Sequence, residues 1–241
     1  MSEGIVFCEA RADYDMVTML ATRALTEIDS WRADHPGPFP SSTDSGNAMV
    51  LWRALPERYS ATGLPPMHGK FSSGGGEAKQ AEKAVRYAKH HGAKAVVLSR
   101  DLDGDEHRAH AYDVFRTEPF ANNAPRVALA LAAPCRESWI LAGFEPETDS
   151  ESRTLRDLTT ELAFDPTRYP ERTRPTTSPK AAKDILRRLT NGDYEREHRC
   201  IAESPLERLQ ERGEHNGLRD YLDNGVPRLR TLSPLIADSA G

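Results

Sequence analysis

Residues 95–105 read Ala95-Val96-Val97-Leu98-Ser99-Arg100-Asp101-Leu102-Asp103-Gly104-Asp105. The opening apolar run, with no polar residue interrupting it, marks a strand buried on both faces of a sheet. Three acids then follow at alternate positions. On an extended segment alternate side chains point the same way. Three carboxylates on one side repel one another unless a cation lies between them. Mg²⁺ or Mn²⁺ suits such a set, because both prefer oxygen ligands. The plainer reading is a solvated acidic turn, for which Asp-Gly-Asp is good chemistry. Ligands of open α/β sheets bind outside the carboxyl ends of the strands, so this stretch sets both the expected fold and the expected site.

Upstream, Ala81, Ala84, Val85 and Ala88 share one face of a helix expected over 77–91, with Gly92 as its stop. A Gly/Ser loop, 67–76, opens into it. At the amino terminus Ile5-Val6-Phe7-Cys8 forms a first buried strand with Glu9 at its end. A helix follows, with Val17, Leu20, Ala24, Ile28 and Trp31 on its apolar face, broken by His35-Pro36-Gly37-Pro38. Residues 36–47 read as a loop, and periodicity leaves 48–55 open between a strand and a short helix. Downstream, Val127–Ala133 is a further strand running into Pro134 and Arg136-Glu137-Ser138-Trp139.

This order predicts an α/β fold, a parallel or mostly parallel sheet flanked by helices with right-handed crossovers. From 145 onward polar residues dominate. Helices are expected after Ser178-Pro179 (apolar face Ala182, Ile185, Leu186 and Leu189, ended by Asn191-Gly192), over Pro205–Arg212 and over Leu218–Leu222. The expected organisation is an α/β domain over 1–144 and a helical extension over 145–241 packed on it, with 233–241 frayed.

A chain of 241 residues with 38% hydrophobic content can bury such a core. Its net charge of −5 argues against a general nucleic-acid coat protein, but not against a nuclease, whose metal site is itself acidic. The acidic excess falls where the metal is expected: 16 basic against 21 acidic residues in 1–150, and 16 of each in 151–241. Cys8, Cys135 and Cys200 lack paired spacing and read as reduced thiols. The eight histidines are scattered and read as surface or capping residues. Neither a signal peptide nor an apolar stretch of membrane-spanning length is visible, so a cytoplasmic protein with no membrane partner is expected.

The candidate metal ligands are Glu9, Asp13, Asp101, Asp103 and Asp105; Glu9, Asp101, Asp103 and Glu137 are the candidate catalytic acids. Each has a structural counterpart reading. Glu9 and Glu137 would complement helix dipoles, Asp13 would cap the first helix, and Trp139 reads as core. Lys70 and Lys79, near the glycine loop, read either as phosphate contacts or as surface lysines. Arg168, Arg172, Arg174, Lys180, Lys183, Arg187 and Arg188 form a loose basic run, read as a solvated face in preference to a phosphate track.

A strand ending in Glu, a gap, then a strand ending in Asp-x-Asp resembles the layout of Toprim domains, found in topoisomerases, primases and overcoming-lysogenization-defect nucleases. Cys8-Glu9-Ala10-Arg11-Ala12-Asp13 is similar to the nuclease form of the first motif, Glu-Gly-x-x-Glu, with Ala10 for the glycine and Asp13 for the second glutamate. Asp101-Leu102-Asp103 matches the second motif, and Ser73-Gly74-Gly75-Gly76 resembles the glycine-rich stretch between them. Nearly the whole chain resembles the prokaryotic Toprim-like family known as domain of unknown function 4276. Arg136-Glu137-Ser138-Trp139-Ile140-Leu141-Ala142, Ser178-Pro179-Lys180, Tyr194 and 218–222 carry that likeness.

The resemblance implies a Toprim core, metal binding, and association with an ATPase in phage-defence or mobile-element loci. The leading expectation is thus a Mg- or Mn-dependent nuclease acting on nucleic acid, DNA in preference to RNA. One alternative is a non-catalytic Toprim-like subunit that binds an ATPase or nucleic acid. A weaker one is a haloacid dehalogenase-type phosphatase, whose nucleophile motif Asp101-Leu102-Asp103-Gly104 resembles; the sequence after 140 lacks the later strand and acid pair that chemistry needs.

Overall fold

The computed structural model describes residues 3–34, 39–40, 48–66, 75–117, 124–175 and 180–231. The protein is α/β, with a four-stranded all-parallel sheet in the order β2-β1-β3-β4. Strand β1 (Gly4–Cys8) is buried throughout, as its unbroken apolar run requires. It pairs on one side with β2 (Met49–Leu51), Val6 opposite Met49, and on the other with β3 (Ala95–Asp101), Ile5 opposite Val96. Strand β4 (Arg126–Ala132) forms the edge beyond β3. The strand order reverses between β1 and β3, the kind of place where open α/β sheets bind ligands.

The segment 48–55, undecided in the sequence, makes β2, a 3₁₀ turn over Trp52–Ala54, and the start of α2. Trp52 anchors it by donating its indole N–H to the Ser99 carbonyl at 2.8 Å.

Helix α1 (Arg11–Ile28) buries Val17, Leu20, Ala24 and Leu25. Its expected apolar face does not reach Ile28 and Trp31, which are 42% and 53% exposed. The helix stops at Ile28, and Trp31 falls on a 3₁₀ turn (Ser30–Asp34) with a different repeat. There the Arg32 guanidinium lies 4.8 Å from the Trp31 ring and donates to the Arg230 carbonyl at 2.8 Å. Helices α2 (Leu55–Ala61), α3 (Gly75–His90) and α4 (Glu106–Thr117) complete the amino-terminal half. The inner face of α3 is mostly alanine (Ala78, Ala81, Ala84, Ala88), which permits close packing. Lys70, Ser73, Gly74, Ser178-Pro179, most of 36–47 and the tail from 232 lie outside the described residues.

After β4 come α5 (Arg136–Gly143), α6 (Asp149–Leu162), α7 (Ala182–Thr190), α8 (Tyr194–Ala202), α9 (Leu206–Arg212) and the short α10 (Leu218–Asp220). Among the described residues beyond β4, extended pairing is limited to one bridge, Arg174 with Ala181. Helices α6 and α8 add to the helices expected from the sequence.

The chain divides into two compact units: Met1–Ser99 with Asp105–Ala130 and Asn224–Gly241, and Arg100–Gly104 with Leu131–Asp223. In the second, α5 packs against α7, α8 and α9. A Cβ on Gly143 would stand 1.9 Å from the Cys200 carbonyl oxygen, so only glycine permits this approach of α5 and α8. Trp139, fully buried as expected, stacks on Tyr221 at 5.7 Å.

Candidate functional site

Of the acids singled out in the sequence, Glu9, Asp13 and Asp105 belong to the first unit, and Asp101, Asp103 and Glu137 to the second. In the first unit, Glu9 follows β1 directly and is exposed. Asp13 is nearly buried in the first turn of α1, where one carboxylate oxygen accepts from Glu9 N at 3.1 Å and Ala10 N at 2.8 Å. Ala10, at the N-cap, has no side-chain oxygen, so Asp13 supplies the stabilising contact to the amides that start the helix.

Asp105 does the same for α4. Its Oδ1 accepts from His107 N at 2.9 Å and Arg108 N at 3.1 Å. The hydrogen bond from Arg108 N, joined by that from His107 N, holds its carboxyl below the ordinary aspartate value.

The expectation of three carboxylates on one side of an extended segment is not met. Extended structure ends at Asp101. Asp103 and Gly104 both lie in the left-handed region, at φ of +53° and +69°. Asp and Gly tolerate that conformation, and the chain turns there into α4. The alternation rule therefore stops before it can align the three acids. Among the described residues no group of three or more His, Cys, Asp and Glu side chains is arranged to hold a metal ion.

The structure does bring Asp101 and Glu137 together, around the start of α5. Leu102 N donates to Ala132 O at 2.8 Å and Asp103 N to Pro134 O at 2.7 Å, tying the turn after β3 to the end of β4. Asp101 Oδ1 then accepts from Arg136 N, the first amide of α5, at 2.9 Å. Cys135 occupies the N-cap position without a capping side-chain bond, so the cap comes from the neighbouring strand. Glu137 is the next residue of α5, with Oε1 3.3 Å from the Arg136 guanidinium.

Burial pushes the Cys135 thiol well above its usual range; Glu137 and Asp101 act in the same direction, and a hydrogen bond with Glu137 adds to the shift. The thiol stays protonated, and the donors on offer here are hard carboxylate oxygens. Glu197, on α8, borders the same group. Its carboxyl is raised by burial, relieved by Thr190 Oγ1 at 3.4 Å and by Arg136, and raised again by Glu137.

Asn216 was not singled out in the sequence, yet it holds the support of this site. It is fully buried. Its carbonyl accepts from Ala133 N at 2.9 Å and from the Trp139 indole at 2.8 Å. Its side chain donates to Ser138 O at 3.1 Å and accepts from Leu218 N at 3.1 Å. Gly217 follows at φ +86°, and a Cβ there would stand 2.0 Å from the Leu131 carbonyl oxygen. The Asn-Gly pair is a readable turn signal; the clamp it makes on the β4–α5 junction is a long-range contact that no local pattern shows.

Lys79 is exposed on α3. No described helix is long and apolar enough to cross a membrane. No protein-family model, no curated protein and no solved structure matches the chain.

Proposed function

We propose that the chain is a metal-dependent phosphodiesterase acting on nucleic acid, with Asp101 and Glu137 as its metal-binding acids. The observation that carries this is their convergence at the carboxyl ends of adjacent parallel strands, one acid ending β3 and the other opening the helix after β4. Mg²⁺ is commonly held by one or two carboxylates, with waters and substrate phosphates filling the rest of its octahedron. Two carboxylates beside a protonated thiol fit that demand and suit Mn²⁺ equally.

A bound Mg²⁺ or Mn²⁺ would supply Lewis-acid polarisation of a phosphoryl oxygen and a water of lowered pKa. The chain's own residues do the positioning. Asp101 is oriented by the Arg136 amide. Arg136 pairs with Glu137 and would offer positive charge to an arriving phosphate. Glu197, whose carboxyl burial raises and which feels the charges of Arg136 and Glu137, would take up or return a proton.

A second reading has its own observation. Asp101 and Asp105 each cap a helix start, which a non-catalytic binding subunit would also need. Asp101→Asn separates the two, because asparagine keeps the capping oxygen but loses the charge. Cleavage of labelled single- and double-stranded DNA with Mg²⁺ or Mn²⁺ is the assay. Loss of cleavage in Asp101→Asn and in Glu137→Gln, with unchanged melting, supports the enzyme. Cleavage that persists in both, or none by the wild type, rejects it.

A further inference from the structure

Among the described residues, Tyr169 is one of the few large apolar side chains left exposed, at 50%. It lies in the second unit, on the loop between α6 and α7. The described part of that loop, up to 175, is laced by its own hydrogen bonds. Asp165 Oδ1 accepts from the Thr167 amide and hydroxyl, each at 2.8 Å, and Asp165 O accepts from Tyr169 N at 3.0 Å. Thr173 Oγ1 donates to Pro170 O at 2.6 Å, and both residues are buried. Arg174 N donates to Lys180 O at 2.7 Å and Ala182 N to Arg174 O at 2.9 Å, fastening the loop to the start of α7.

One cation lies over the ring, and others stand on the same segment. The Arg172 guanidinium lies 4.6 Å from the Phe164 ring centre and 6.0 Å from that of Tyr169, so it bridges the two rings. Lys180 Nζ is 5.6 Å from the Phe164 ring. Arg168, next to Tyr169, is 70% exposed in its side chain. Between 164 and 174 there are three arginines and two acids, and Lys180 adds a further positive charge. One of the acids, Asp165, is already engaged by the loop's own amides and by Arg168. The local balance is therefore positive in a chain whose net charge is −5.

We infer that Tyr169, with Arg168, Arg172 and Lys180, forms a stacking platform for a nucleic-acid single strand. An exposed aromatic ring on a fixed loop offers a face to an unpaired base, and flanking guanidinium and ammonium groups meet the phosphates. The hydrogen bonds of 165–174 hold Tyr169 before binding, so little entropy is lost on contact. A duplex keeps its base faces stacked inside and cannot use the ring in this way. The inference deepens the reading of the chain as a nuclease, because it names the form of nucleic acid that is held and the residue that holds it.

The test is anisotropy of a fluorescein-labelled oligothymidylate titrated with the full chain in chelator, so that binding is read without cleavage. Tyr169→Ala is expected to weaken binding about tenfold, in line with the loss of one stacked base, while Tyr169→Phe keeps it. Arg172→Gln should lower the slope of log K against log salt by about 0.7, one phosphate contact on a single strand. Binding to a duplex should be indifferent to Tyr169.

Equal binding by wild type and Tyr169→Ala overturns the platform, as does no binding by the wild type. A response to Arg172→Gln without one to Tyr169→Ala also overturns it, since that describes a surface for any polyanion. Tyr169-dependent binding without metal-dependent cleavage would leave the platform standing and remove the nuclease. Cleavage indifferent to Tyr169 would do the reverse.

Discussion

Two acidic segments that read alike in the sequence are built differently. In the first unit, Asp13 accepts from the preceding amides of Glu9 and Ala10, and Asp105 from the following amides of His107 and Arg108, each at the start of its own helix and over two to four residues. In the second unit, Asp101 reaches the first amide of α5 across 35 residues of chain. A local cap completes one helix and asks nothing of its surroundings. A long-range cap fixes the end of one strand to the helix that follows the next, and so brings acids from two elements to act on the same Cys135 thiol. Spacing alone cannot separate these cases, because both follow from a carboxylate just past a strand.

The largest effect that would test this contrast is on cleavage. Asp101→Asn and Glu137→Gln should each lower the metal-dependent rate by at least about a hundredfold, the scale of losing a positioned acid or base. Asp13→Ala and Asp105→Ala should leave it within about threefold, well below that scale. A ranking in which the first unit's acids matter more would invert the assignment.

Next in size is the scaffold of the second unit. Arg196 is buried, with its Nε 2.9 Å from Glu151 Oε1, its guanidinium over the Phe144 ring at 4.7 Å, and a further hydrogen bond to the Glu145 carbonyl. Removing the charge of one partner strands the other, so Glu151→Gln should cost about 3 kcal/mol by denaturant unfolding. Burial alone would raise the Glu151 carboxyl, but the Arg196 hydrogen bond, the amide of Glu147 and the Arg196 charge hold it below its ordinary value of 4.5. A carboxyl depressed in the folded state adds stability that is present above its unfolded pKa and lost as the pH falls through the folded one. Wild type should therefore lose stability faster than Glu151→Gln as the pH drops below about 4.5. Parallel pH profiles would show that the pair contributes nothing.

Smaller again is the helix-capping effect. Asp13→Ala should cost about 1 kcal/mol, and Asp105→Ala should lower the melting temperature of the same unit. Because hydrogen bonds to backbone amides depress the Asp105 carboxyl, its stabilisation is present above the ordinary aspartate value and fades as the pH falls through the lowered one. If Asp13→Ala melts like wild type but no longer gains stability from Mg²⁺, Asp13 is a ligand and not a cap.

What the sequence revealed follows the length of each pattern. β1, β3 and β4 are apolar runs bounded by polar residues, legible without any partner. β2 has three residues, Met49-Val50-Leu51, too few for a period. Helix α6 has 14 residues, and Leu155, Leu158 and Leu162 stand at helical spacing, but only Leu158 and Leu162 are buried, so its stripe is thin. Its start was nonetheless written locally: Thr148 accepts from Glu151 N, and Glu151 reaches back to Glu147 N. Asp193 at the start of α8 gives a similar signal, accepting from Glu195 N and Arg196 N. The Asp101–Arg136 bond was not legible, because it depends on β3 and β4 being neighbours. The alternate spacing of Asp101, Asp103 and Asp105 misled for a physical reason: it assumes an extended backbone, and the turn begins between the first acid and the second.

Asp103 allows the finest test, because its backbone and its carboxylate can be separated. At φ +53° an alanine is strained, by about 1 kcal/mol relative to residues that accept the left-handed region, whereas glycine is not. Mutual repulsion among aligned acids would make Asp103→Ala at least as stable as wild type in chelator. The turn geometry instead makes Asp103→Ala less stable and Asp103→Gly equal to or above wild type. Both variants lack the carboxylate, so any ligand role must show in both. Melting temperatures of the three proteins in chelator, and again in excess Mg²⁺, read the two properties separately. The gap between alanine and glycine reports the backbone. The gain on adding metal, compared with wild type by mass action, reports the ligand. A metal gain shared equally by all three would assign Asp103 to the turn alone and leave Asp101 and Glu137 as the acids of the second unit's site. A gain lost in both variants would return Asp103 to the metal.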